Sequence, residues 1–254
     1  MNKQAQNHLY SFLYLLALYL GIKLLPLEDW LPEIWIAKMI RIILFFAVCC
    51  ICVYEGKRVG FLYERKENHH SYFLLAPFLI GCISNLLFCW FFNIPTTIKI
   101  DASSFVLELF STLFCVVVEE YLFRVFFISF LQHSLANDNR QNPFIILFSS
   151  LSFALMHCIN FFGNSPLSVL VQIGYTFILG LILGYIALYF ERPIIVCVGH
   201  FLFNFFNTNL FTTFYQIDMD VNYVLFSLLL GVILVAYGAT IYFLDRRKEK
   251  NVTD

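Results

Sequence analysis

FVLELFSTLFCVVVEEYLFRVFFISFL, residues 105–131, sets about eighteen strongly apolar side chains around Glu119, Glu120 and Arg124. The run is longer than the roughly 20 residues a helix needs to cross the hydrocarbon of a bilayer. A charged residue at the centre of such a helix costs roughly 2.5–3.5 kcal/mol, so three cost about 7–10 kcal/mol. The apolar residues return about 0.3–0.6 kcal/mol each, roughly 5–11 kcal/mol together. The two sums nearly cancel. This helix therefore belongs inside a bundle, where its charges find partners. Helical spacing supplies one of them: Glu120 and Arg124 are i and i+4 and share a face. Glu119 points about 100° away from Glu120 and is left for another task.

The rest of the chain agrees with a membrane setting. Of its 254 residues 60% are hydrophobic and only 13% are charged, and Phe alone accounts for 31. A soluble domain carries about 25% charge, and at this size it cannot hide so much apolar surface. The mean hydropathy is +0.77. A soluble enzyme, a secreted disulfide scaffold and a nucleic-acid binder are excluded, the last also by a net charge of −1. The eight cysteines form no CxxC pair with zinc-finger spacing and sit mostly inside apolar runs, where they read as small hydrophobes. Apolar runs lie at roughly 8–25, 36–54, 71–92, 104–131, 143–162, 166–190, 193–213 and 221–244. The expected fold is all-α: one membrane-embedded domain over residues 1–254, a bundle of about eight transmembrane helices.

Orientation follows the basic residues. With an even number of spans, both termini share a side with the loops near 55–70, 132–142 and 191–192. That side holds Lys3, Lys57, Arg58, Arg65, Lys66, Arg140, Arg192, Arg246, Arg247, Lys248 and Lys250; the other holds Lys23, Lys38, Arg41 and Lys99. Both termini are expected in the cytoplasm, and the plasma membrane is the expected location. LPLEDWLPEIW, between the first two runs, suits an interfacial segment anchored by Trp30 and Trp35. Gly180 and Gly184 have the small-xxx-small spacing that lets helices approach closely.

Two more spans carry polar residues at depth. SFALMHCIN places Phe153 and His157 at i and i+4, with Asn160 beyond. VGHFLFNFFN places His200 and Asn204 at i and i+4. Side chains from facing helices converge in bundle interiors to build sites. His8, His69, His70 and His133 are at a terminus or in polar stretches, and solvated surface is expected for them. Carboxylates with imidazoles in a membrane admit a proton relay, metal-assisted hydrolysis, or metal-free hydrolysis by a general base and an oxyanion hole. No HExxH is present. Residue types alone do not choose among the three.

Glu119 to Arg124 reads EExxxR, Phe153 to His157 reads FxxxH, and His200 to Asn204 reads HxxxN. In this order, within residues 104–213, they resemble the CPBP family (CAAX processing and bacteriocin processing), also called the Abi or type II CAAX prenyl endopeptidase family. The resemblance implies an intramembrane endopeptidase acting on a membrane-associated peptide or protein. It implies that Glu119 and His157 activate water, that His200 and Asn204 stabilise the oxyanion, and that Glu120 and Arg124 give structural support. Such families have been described both as zinc and as glutamate-type proteases. A metal, if held, would fall to Glu119, His157 and His200. The metal-free form is favoured, since Asn is a poor zinc ligand and Glu120 is committed to Arg124. The competing expectations are a catalytically silent scaffold, regulator or immunity protein of the same family, and a proton-coupled transporter. A transporter would show paired repeats and broken helices, which the sequence lacks.

Overall fold

The computed structural model describes residues 2–59, 102–135, 142–190 and 193–206, with single positions inside 82–91 and 229–240. Most of the runs at 71–92 and 221–244 therefore lie outside the described residues, and the eight-span count is not established. Among the described residues the chain is helical throughout, with no strand. Among the described residues three helices are long and apolar enough to cross a membrane by length and composition: Ile34–Val59, Asn142–Phe162 and Pro166–Leu188.

Helix α1 (Lys3–Leu24) starts where the Asn2 side chain accepts a hydrogen bond from the Ala5 amide at 2.7 Å, a standard satisfaction of first-turn donors. It stops at Leu25, which is extended because Pro26 follows. A single turn, α2 (Leu27–Trp30), leads into α3 (Ile34–Val59). Arg41 of α3 reaches back to both carboxylate oxygens of Glu28, at 2.6 and 2.9 Å, and to the Leu25 carbonyl at 2.9 Å. Trp30 and Trp35 are exposed beside this clamp, as expected of an interfacial segment.

The decisive stretch folds as α4 (Ala102–Glu120), a π-helical segment (Tyr121–Phe127) and α5 (Ile128–Ser134). The π segment departs from the regular ladder, and its Phe123 carbonyl accepts from the Ser149 hydroxyl at 3.0 Å. Ser149 belongs to α6 (Asn142–Met156), which tightens into a 3₁₀ turn over His157–Phe162. Helices α7 (Pro166–Phe190) and α8 (Pro193–Asn204) both begin at proline, whose missing N–H costs nothing at a helix start.

Helix α1 runs antiparallel to the 102–134 rod: His8 stacks on His133, centroids 5.3 Å apart, and Tyr19 meets Cys115 and Glu119. Here the expectation for His8 fails. Its ring is 1% exposed, because α1 lies flat against α5 and takes the imidazole into the contact. Helices α6 and α7 pair through the small-residue stripe. A Cβ on Gly180 would stand 3.0 Å from the Ser150 Cβ, and one on Gly184 would stand 3.4 Å from Ile146. The core where α1, α3, the π segment and α6 meet contains Phe12, Leu15, Tyr19, Phe45, Leu122, Phe123, Phe126 and Phe153. Outward-facing Leu13, Phe46, Phe148, Leu151 and Leu155 are exposed, an arrangement that suits lipid rather than water.

Candidate active site

Glu119 and Glu120 close α4 where the π segment begins, and the rotation between consecutive helical residues sends them to different neighbours. Glu120 is 1% exposed. One oxygen accepts from His200 Nδ1 at 2.7 Å, and the other lies 3.4 Å from Arg124 Nε. The pair expected from i,i+4 spacing is thus present, with His200 of α8 added to it. The Arg124 guanidinium lies 4.7 Å from the centroid of the Phe153 ring, a cation–π contact in a dry setting. The same ring meets His157 and His200 edge-on at 5.1 and 5.6 Å. Phe153 is therefore the hub on which the arginine and both imidazoles rest.

The ring nitrogens can be assigned from their partners. His157 Nδ1 is 3.0 Å from the Phe153 carbonyl, which can only accept, so Nδ1 carries the hydrogen and Nε2 is left for the cavity. His200 Nδ1 donates to the Glu120 carboxylate, and its Nε2 accepts from Asn204 Nδ2 at 3.0 Å. Carboxylate, imidazole and carboxamide thus form one chain of hydrogen bonds leading from the sealed interior to the cavity wall.

That cavity, of about 250 Å³, is lined by Glu119, His157, His200 and Asn204 together with Lys23, Thr112, Cys115, Gln172, Tyr175 and Thr176. All four residues expected to act therefore face one space. Glu119 Oε2 is 3.9 Å from His200 Nε2, so the acid and the Asn204-bonded imidazole nitrogen meet at the cavity wall. Glu119 Oε1 accepts from the Tyr19 hydroxyl, lies 3.6 Å from Lys23 Nζ, and lies 3.4 Å from Cys115 Sγ. Asn160 turns aside and donates to Gln172 Oε1 at 2.7 Å. Cys158 and Cys197 are not among the lining residues.

Sequence reasoning missed Tyr19, Lys23, Cys115, Gln172 and Thr176. A faint signal existed for two pairs: Tyr19 with Lys23, and Gln172 with Thr176, are i and i+4 polar positions on otherwise apolar helices. Among the described residues, no group of three or more His, Cys, Asp and Glu is placed to hold a metal ion. The donor set fits one poorly: Glu119 Oε1 already faces an ammonium and a phenol, and His200 has both nitrogens bonded.

No curated protein and no solved structure matches the chain. Residues 101–206 match the sequence model of the family described as type II CAAX prenyl endopeptidase Rce1-like, and the matched segment contains all three motifs and both carboxylates. The helices that build the cavity of this integral membrane protein are thus similar to the type II CAAX prenyl endopeptidase Rce1-like family.

Proposed function

We propose that the protein is an intramembrane endopeptidase that hydrolyses a peptide bond in a membrane-associated peptide or protein. The observation that carries this reading is the convergence of Glu119, His157, His200 and Asn204 on one cavity within the family-matched helices. Water held between Glu119 Oε2 and an imidazole gives a proton to Glu119 and attacks the scissile carbonyl carbon. The oxyanion is met by the second N–H of the Asn204 amide, which His200 Nε2 orients, with Glu120 fixing that ring from behind. Collapse of the intermediate breaks the C–N bond, and the proton held by Glu119 passes to the leaving amine.

The reaction proceeds without a metal ion, a reading supported by the ammonium beside Glu119 and by the occupied nitrogens of His200. Cleavage is accordingly expected to be unchanged after incubation with o-phenanthroline. The protein sits in the plasma membrane with both termini cytoplasmic, a placement supported by the distribution of basic residues. The bacterial processing role named for the CPBP and Abi families is compatible with a small peptide substrate.

The experiment compares host membranes containing wild-type protein with membranes containing Glu119→Gln, and identifies released peptides by mass spectrometry. Peptides present only with the wild type are expected, and they identify the substrate. Identical peptide sets would leave a silent scaffold as the reading.

A further inference from the structure

We infer that α1, which lies outside the family-matched segment, is a working part of the site: Tyr19 and Lys23 are positioning residues that hold Oε1 of Glu119 so that Oε2 faces the cavity. This rests on the proteolytic reading above.

Three observations carry it. Tyr19 is fully buried and donates its hydroxyl to Glu119 Oε1, and Lys23 Nζ reaches the same oxygen at 3.6 Å. The two side chains form one unit, because Lys23 Nζ also stands 5.0 Å from the Tyr19 ring centroid, one helical turn away. Both donors act on one carboxylate oxygen, which fixes the carboxylate plane and leaves Oε2, at 3.9 Å from His200 Nε2, to meet water. Charge balance points the same way. Arg124 answers Glu120 and Lys23 answers Glu119, so with neutral imidazoles the four ionised groups sum to zero inside the bilayer. Without Lys23 the site would hold an uncompensated negative charge before an oxyanion had even formed. The two cations differ in access: the Arg124 side chain is 1% exposed, whereas that of Lys23 is 26% exposed and lines the cavity.

The test uses full-length protein as wild type, Tyr19→Phe, Lys23→Met, Lys23→Arg and Glu119→Gln, on a peptide that the wild type releases. A misplaced reacting group costs up to about a hundredfold, so kcat should fall about tenfold in Tyr19→Phe and about a hundredfold in Lys23→Met. KM should stay within about twofold of wild type, and Lys23→Arg should regain most of kcat; loss of packing alone would not give that split or that rescue. Wild-type kcat in Tyr19→Phe and Lys23→Met, beside an inactive Glu119→Gln, overturns the inference and leaves the protease reading intact. If Glu119→Gln cleaves like wild type, the role of Glu119 as base fails, and a substrate-free cycle decides its placement. Thermal unfolding of Lys23→Met, Glu119→Gln and the double variant should then show the double variant no less stable than Lys23→Met alone. Strictly additive losses would overturn the contact itself.

Discussion

Glu119 and Glu120 are neighbours in the chain and have almost nothing else in common. Glu120 is sealed in protein, between an arginine of its own helix and an imidazole of α8, with the Phe153 ring as a lid. Glu119 faces a cavity, and its cation comes from α1 and is partly open. One sealed carboxylate holds the frame, and one accessible carboxylate is left to exchange a proton. The helix makes the division with a single rotation of about 100°, and the π segment that follows carries Arg124, the cation of Glu120.

If that contrast is right, variants should separate activity from stability. The largest effect is expected from His157→Ala. It removes the imidazole whose Nε2 is turned to the cavity while leaving the Glu120 network whole, and peptide release should fall by about 10³-fold with little change in unfolding temperature. Arg124→Met attacks the other side. Breaking a buried pair strands a carboxylate and costs about 3–5 kcal/mol, read as a large drop in thermal stability in detergent. Adding Glu120→Gln should restore much of that loss, whereas failure to restore any would show that the pair is not the unit described. Asn204→Ala should reduce kcat by about 10²-fold and leave measurable turnover, as removal of one oxyanion donor does. The smallest effect belongs to Ser149→Ala. It removes the hydroxyl that donates to the Phe123 carbonyl and should lower stability by about 1 kcal/mol, with turnover close to that of the wild type.

The two halves of the comparison were not equally legible in the sequence. Glu120 with Arg124 could be paired from spacing because both sit on one rod. The partners of Glu119 could not, since Tyr19 and Lys23 are about a hundred residues away and are brought in only when α1 packs antiparallel against the π segment and α5. Lys23 near a helix end reads as a loop charge, and no local pattern marks it as a counter-ion. His8 shows the same limit: polarity near a terminus predicts solvent, but packing against α5 buries the ring on His133. The role of Phe153 was half visible. FxxxH spacing predicts a shared face with His157, but the cation resting on that ring comes from another helix. The Gly180–Gly184 stripe was legible because small residues at that spacing have few other uses on an apolar helix, and they do admit α6 at close range. Nothing in YLFRVFF announces a π segment, since neither glycine nor proline interrupts it.

The central claim is tested most directly by measuring peptide turnover and unfolding temperature on the same preparations of Glu119→Gln and Glu120→Gln. Glu119→Gln should remain folded and release no peptide, while Glu120→Gln should lose stability first and activity as a consequence. Peptide release by Glu119→Gln at the wild-type rate would contradict the account.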